Sequence, residues 1–236
     1  MRSVFVALLV ALALPLVSAQ TSETVFTATS ANVAEPGSPV KIRLQRWSTP
    51  EEATPLVAAL NPPPARTGGG PGDAAGRAAG AGRAGGRGAR GRGRGGAAPA
   101  PLSPTAALAQ ALGRAPTIGY LWTADVTGYS IKYAYRTQMP DGGERVILAS
   151  DRRLGTHTAG WQPAVKEPLT DYEFTIIEIR LDGKGVGEGR TSLTTKVVVD
   201  PDAKTVALES YQAAPAILRN VKASEAPRQS VQASPR

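Results

Sequence analysis

The run Gly128-Tyr-Ser-Ile-Lys-Tyr-Ala-Tyr-Arg136 alternates large and polar side chains residue by residue. Only an extended strand puts every second side chain on one face, so this period excludes a helix there. Tyr129, Ile131, Tyr133 and Tyr135 are expected on one face, with Ser130, Lys132, Ala134 and Arg136 on the other. The same period recurs along most of the chain. Val25, Thr27 and Thr29 oppose Phe26 and Ala28, and Val40, Ile42 and Leu44 oppose Lys41, Arg43 and Gln45. Residues 117–124 make a third strand, and Met139-Pro-Asp-Gly-Gly-Glu144 is a hairpin turn into Arg145-Val-Ile-Leu-Ala-Ser150. Residues 172–181, Tyr-Glu-Phe-Thr-Ile-Ile-Glu-Ile-Arg-Leu, are apolar on both faces at their centre, which marks a central or covered strand. A turn at Asp182-Gly-Lys-Gly185 leads to residues 189–199, read as one strand. After Asp200-Pro-Asp202 come 205–211 and 215–221.

About nine strands joined mostly by short turns predict a mainly β fold. It is an antiparallel meander closing as a barrel or a sandwich. Two helix starts interrupt it. Ser48-Thr49-Pro50-Glu51-Glu52 places a capping residue, a proline and two acids where a helix N-terminus favours them, and Leu56, Val57 and Leu60 follow at helical spacing up to Asn61-Pro62. The signal repeats at Ser103-Pro104, with Leu108 and Leu112 one turn apart and Gly113 as the stop. Helices this short need a partner, and the pair reads as an αα-hairpin covering an end or edge of the sheet.

Between the two helices lies a run of a different kind. Residues 62–100 are rich in Gly, Ala and Pro and hold seven arginines (Arg66, Arg77, Arg83, Arg87, Arg90, Arg92, Arg94) against one acid, Asp73. Nothing there can form a core, so a disordered insert is expected. The insert accounts for most of the net charge of +8, and basicity therefore says little about the folded part. No aromatic residue occurs between Trp47 and Tyr120, which removes the stacking surface of RNA-binding Arg/Gly segments and argues against a specific nucleic-acid partner. Arg77, Arg83, Arg87, Arg90, Arg92 and Arg94 are the candidate contacts for an anionic polymer, the alternative being a plain spacer.

At the N-terminus, Arg2, an apolar run from Val4 to Val17 and Val17-Ser18-Ala19 have the form of an export signal cleaved after Ala19, too short to span a bilayer. The expectation is a periplasmic or extracellular protein without a transmembrane segment once the signal is removed. Residues 223–236 carry no pattern and read as a disordered tail.

Chemical signatures are few. The chain has no cysteine, which excludes disulfides, thiolate metal sites and a cysteine nucleophile, and its single histidine, His157, excludes a multi-histidine zinc site. No GxSxG occurs. The glycines at 183, 185, 187 and 189 match neither GxGxxG nor a P-loop and read as hairpin and bulge residues. No cofactor and no catalytic residue is assigned. Residues 150–163 form the longest irregular stretch in the patterned region, and Arg152, Arg153, His157 and Trp161 there are the candidate ligand-binding set, two guanidinium groups for an anion with an indole as apolar cover. The structural alternative has Asp151 paired with an arginine, Trp161 packed over a barrel end and His157 in solvent. Asp171, Glu173 and Glu178 are the only acid candidates for a hydrolase, and a regular strand puts Glu173 and Glu178 on opposite faces.

The stretches Arg46-Trp-Ser-Thr-Pro-Glu-Glu52, 119–122, 128–136, 140–155 and 171–200 resemble an uncharacterised group of exported bacterial proteins. Its members join the two helices by a short turn, so the arginine–glycine insert is a departure in this chain. The resemblance implies export and one domain and carries no activity. The reading is therefore an exported, non-enzymatic β domain that binds an envelope component or a small ligand. Contact with an anionic polymer through the insert is the alternative, and an acid-only hydrolase the third.

Overall fold

The computed structural model describes residues 23–62, 102–123 and 128–225. The stretch read as an export signal, nearly all of the insert and the residues beyond 225 lie outside the described residues. Ten strands are present: β1 (Thr24–Ser30), β2 (Pro39–Leu44), β3 (Gly119–Thr123), β4 (Tyr129–Gln138), β5 (Glu144–Ser150), β6 (Thr175–Leu181), β7 (Val186–Thr191), β8 (Val197–Asp200), β9 (Thr205–Leu208) and β10 (Ala216–Glu225). Eight of them close an antiparallel barrel in the order β1-β10-β7-β6-β5-β4-β3-β2, and β8 with β9 forms a separate ribbon. Of barrel and sandwich, the barrel is the outcome. The count is ten because residues 189–199 split into β7 and β8 at Ser192–Lys196. There the Ser192 N–H still bonds to Ile176 O in the barrel wall before the chain leaves for the ribbon. β10 also runs to Glu225, three residues into the stretch read as tail, because Ala223, Ser224 and Glu225 pair with Phe26, Val25 and Thr24.

Side chains fill the barrel. Phe26, Ile42, Leu44, Leu121, Ile131, Val146, Leu148, Ile177, Ile179, Leu181, Leu218 and Val221 form one buried cluster, as expected where eight strands enclose only enough room for their own side chains. One end is closed by residues 151–163, whose short 3-10 turn Ala159–Trp161 drops Trp161 into that cluster at 1% exposure. Tyr129 anchors this loop by accepting the Gly155 N–H at 3.2 Å, and Thr175 Oγ1 accepts the Leu154 N–H at 2.9 Å.

A second cluster lies outside the barrel. Ile147 and Ala149 of β5 and Phe174 and Ile176 by β6 point outward, under α1 (Pro50–Leu60), α2 (Pro104–Arg114) and the β8–β9 ribbon. This explains why β5 and β6 are apolar on both faces. Leu56, Leu108 and Leu112 supply the helical side of the cluster, each at most 1% exposed. Ser103 caps α2 by accepting the Ala106 N–H, and the helix continues one residue past Gly113 before ending at Arg114.

The tyrosine row requires a correction. Ile131 pairs with Ser150 while Tyr133 pairs with Ala149, so β4 advances two residues where β5 advances one. Lys132 is thus a β-bulge, and a bulge switches every later side chain to the opposite face. Tyr129 and Ile131 face into the barrel, whereas Tyr133 and Tyr135 face outward toward the helices. The glycines after β6 behave as expected: Gly185 turns the hairpin at φ 74°, and a Cβ at Gly187 would strike the Arg180 carbonyl oxygen.

Candidate functional site

Where α1 meets the barrel wall, the segment Arg46–Thr49 is held from three sides. The Arg46 guanidinium makes two bonds to the Glu52 carboxylate, at 2.7 and 2.8 Å, and a third to the Trp47 carbonyl. Glu52 also accepts the Thr49 N–H at 3.0 Å, which satisfies an open donor at the helix start. The hydrogen bond from Arg46 lowers the Glu52 carboxyl below its ordinary range, and the same bond raises Arg46. Ser48 clamps the next residue to β4: its N–H donates to Ala134 O, and its Oγ accepts the Ala134 N–H. Trp47 is therefore fixed at the edge of β4, packed against the barrel cluster.

Beside it opens a groove of about 700 Å³. Trp47 and Tyr135 form its aromatic wall, with Tyr133 buried behind them at 1% exposure, and Ala53, Val57 and Ala58 of α1 line the opposite side. Arg136 lies over the Trp47 ring, 4.8 Å from its centroid. Lys204, at φ 49° in the turn between β8 and β9, closes the rim. No carboxylate lines the groove. Tyr133 shares a 2.6 Å hydrogen bond with Thr205, and burial pushes its hydroxyl above the ordinary tyrosine range. Its hydroxyl is thus committed to the ribbon and its ring to the second buried cluster.

The ribbon itself is pinned by a buried charge. Glu178, fully buried on the outer face of β6, accepts from Arg145 at 3.0 and 3.2 Å, from Arg180 at 2.8 and 3.0 Å, and from the Leu208 N–H of β9. Arg145 reaches on to Asp200 at the end of β8, 2.7 Å away. Burial works against the Arg145 charge, but the bonds to Asp200 and Glu178 outweigh it and raise its pKa. The Ala203 N–H, and after it Arg145, hold Asp200 below the usual carboxylate range. Tyr211 sits between Arg180 and Arg190, 3.9 and 4.8 Å from its centroid. This network positions Lys204 and Thr205 against the groove.

Comparison of the chain with protein-family models, with curated proteins and with solved structures found no match. The site must speak for itself.

The candidate ligand set at 150–163 is not brought together as a cleft. Trp161 is inside the barrel end, Arg152 and His157 are exposed, and Arg153 is half-buried with a bond to the Tyr172 carbonyl. None of the four lines the groove. Asp151 lies 3.5 Å from Lys132 and not beside an arginine. The candidate polyanion contacts Arg77, Arg83, Arg87, Arg90, Arg92 and Arg94 lie outside the described residues. Among the acids, Glu178 is held by Arg145 and Arg180, while Asp171 and Glu173 are exposed. Among the described residues no cluster of three His, Asp or Glu side chains could hold a metal ion, and no helix is long and apolar enough to cross a membrane.

Sequence reasoning missed Trp47, Arg136 and Lys204 as neighbours. One signal was present: an arginine–tryptophan pair directly before a helix cap places an aromatic where the chain turns onto a helix. Nothing in the sequence indicated which strand it would meet.

Proposed function

We propose that this chain is an exported binding module whose site is the groove between α1 and β4, and that it belongs with the exported bacterial group it resembles. The observation that carries the binding reading is the lining: two accessible aromatic rings, two cations and no carboxylate around about 700 Å³, with the nearest acid to Arg136, Glu144, 4.0 Å away. That volume falls among those of small-molecule sites, which combine an apolar wall with a few placed polar groups. Because the barrel interior is filled, the site lies outside that core. The lining fits a small amphiphile with a flat or branched apolar body against Trp47 and Tyr135, and an acidic end toward Arg136 and Lys204.

Trp47 reports on this directly. Aryl and branched-chain carboxylates, titrated against the full chain, are expected to quench its emission with saturation. Arg136→Gln together with Lys204→Gln should weaken the acids by roughly tenfold, about 1.4 kcal/mol, and leave the corresponding neutral amides little changed. Equal loss for acid and amide removes the anion-end assignment. No response to any member of the panel removes the groove as the site.

A further inference from the structure

One half of the barrel wall is covered by the helices and the ribbon; the other half, formed by β10, β1, β2 and β3, is left uncovered by the described residues. The pairing registers place its outward side chains in transverse rows. Lys222 stands beside Thr27, Thr27 beside Lys41, and Lys41 beside Trp122. The next row runs Ser224, Val25, Arg43 and Tyr120, and on the other side Arg219 stands beside Thr29. Tyr120 and Trp122 are half-buried, with centroids 5.5 Å apart and planes tilted by 36°. Trp122 is held from behind: a Cβ on Gly128 would come within 2.9 Å of its Nε1.

Four cations therefore share this face with one carboxylate, Glu23, which pairs with Arg43. Lys41, Arg219 and Lys222 are exposed and make no ion pair among the described side chains. We propose that this wall is a second binding surface, for an acidic polysaccharide lying across the strands. Its acid groups meet Lys222 and Lys41, and its sugar rings pack on Tyr120 and Trp122. The spacing selects this occupant. Lys222 and Lys41 are two strands apart, roughly 10 Å, whereas a nucleic-acid strand carries a phosphate about every 3.4 Å. So sparse a row matches a polymer with an acid on only some of its units. The hydroxyls of Thr27, Thr29 and Ser224 between the cations suit its neutral ones.

The wall and the groove are separate surfaces, so either can fail without the other. The test uses the full chain carrying Trp47→Phe. Trp161 is buried, which leaves Trp122 as the indole that a surface ligand can reach. Hyaluronate, which carries an acid on every second sugar, should shift Trp122 emission and shield it from acrylamide, and neutral dextran should do neither. Lys41→Gln with Lys222→Gln should raise the half-saturation concentration at least about tenfold and flatten the log affinity–log salt slope by about one to two. Tyr120→Phe, which keeps the ring, should bind like the parent, and Tyr120→Ala should not. Polymer retained with Trp122 emission unchanged would overturn the proposal and place the contact elsewhere in the chain. Tighter binding of single-stranded DNA than of hyaluronate, with the same lysine dependence, would overturn it in favour of a nucleic acid.

Discussion

Glu178 shows how much one buried charge can organise. Its two oxygens hold arginines from β5 and β6 and a backbone N–H from β9. Removing one member of such a set leaves the others desolvated and unpaired. Glu178→Ala is expected to cost about 3–5 kcal/mol, measured by urea unfolding, with the ribbon loosening first by hydrogen exchange. Acid acts on the same region. Asp200 and Glu52 have folded-state pKa values below their unfolded ones, so their contribution to stability is complete above the ordinary carboxylate range. It is lost as pH falls through the lowered values. Stability should therefore hold from neutral pH to about 5 and decline progressively below it. A urea titration from pH 7 to 2 measures the fall, and Asp200→Asn should reduce it. Only Arg180 was visible in Ile176-Ile-Glu-Ile-Arg180; the other partners of Glu178 come from positions 145 and 208, and local pattern carries no such pairing.

At the level of elements, the period-two pattern located nearly every strand, and the capping residues located both helices to within a residue or two. It failed at two places for physical reasons. Lys132 is polar, as a regular outward residue of β4 would be, so its bulge leaves no mark in the alternation, although it decides which way Tyr133 and Tyr135 point. Ser192–Lys196 lacks the glycine or proline that usually announces a turn, and β7 and β8 therefore read as one strand. The bulge gives a sharp expectation. Deleting Lys132 makes Ile131 and Tyr133 consecutive opposite Ser150 and Ala149, so the pairing becomes regular while Tyr133 and Tyr135 keep their outward face. The loss is that of the Lys132 ammonium, which donates to Ala115 O and Thr117 Oγ1 and lies 3.5 Å from Asp151. Urea unfolding of the deletion variant should show a loss of about 1–3 kcal/mol, with far-UV circular dichroism unchanged. A variant as stable as the parent would mean that the bulge is incidental.

For the whole molecule, the covered half and the bare half of the barrel divide the work. The covered half carries the second core and, at its edge, the aromatic groove. The bare half presents the cation rows. The apolar outer faces of β5 and β6 foretold that something would cover them, and the alternating Lys41 and Arg43 foretold that β2 would face solvent. The groove could not be foreseen, since it brings positions 47, 135 and 204 together from three elements far apart in the chain.

Closure of the barrel also fixes an order of events. Thr24 pairs with Glu225, so the first strand of the domain finds one of its two neighbours only in the last. A chain still emerging from the ribosome has β2 through β7 but no strand to seal the gap between β7 and β1. Contacts of such long sequence separation form late, and the native barrel waits for the final residues to be made. Throughout synthesis the wall stays unclosed, and it locks only when its last strand has found its first.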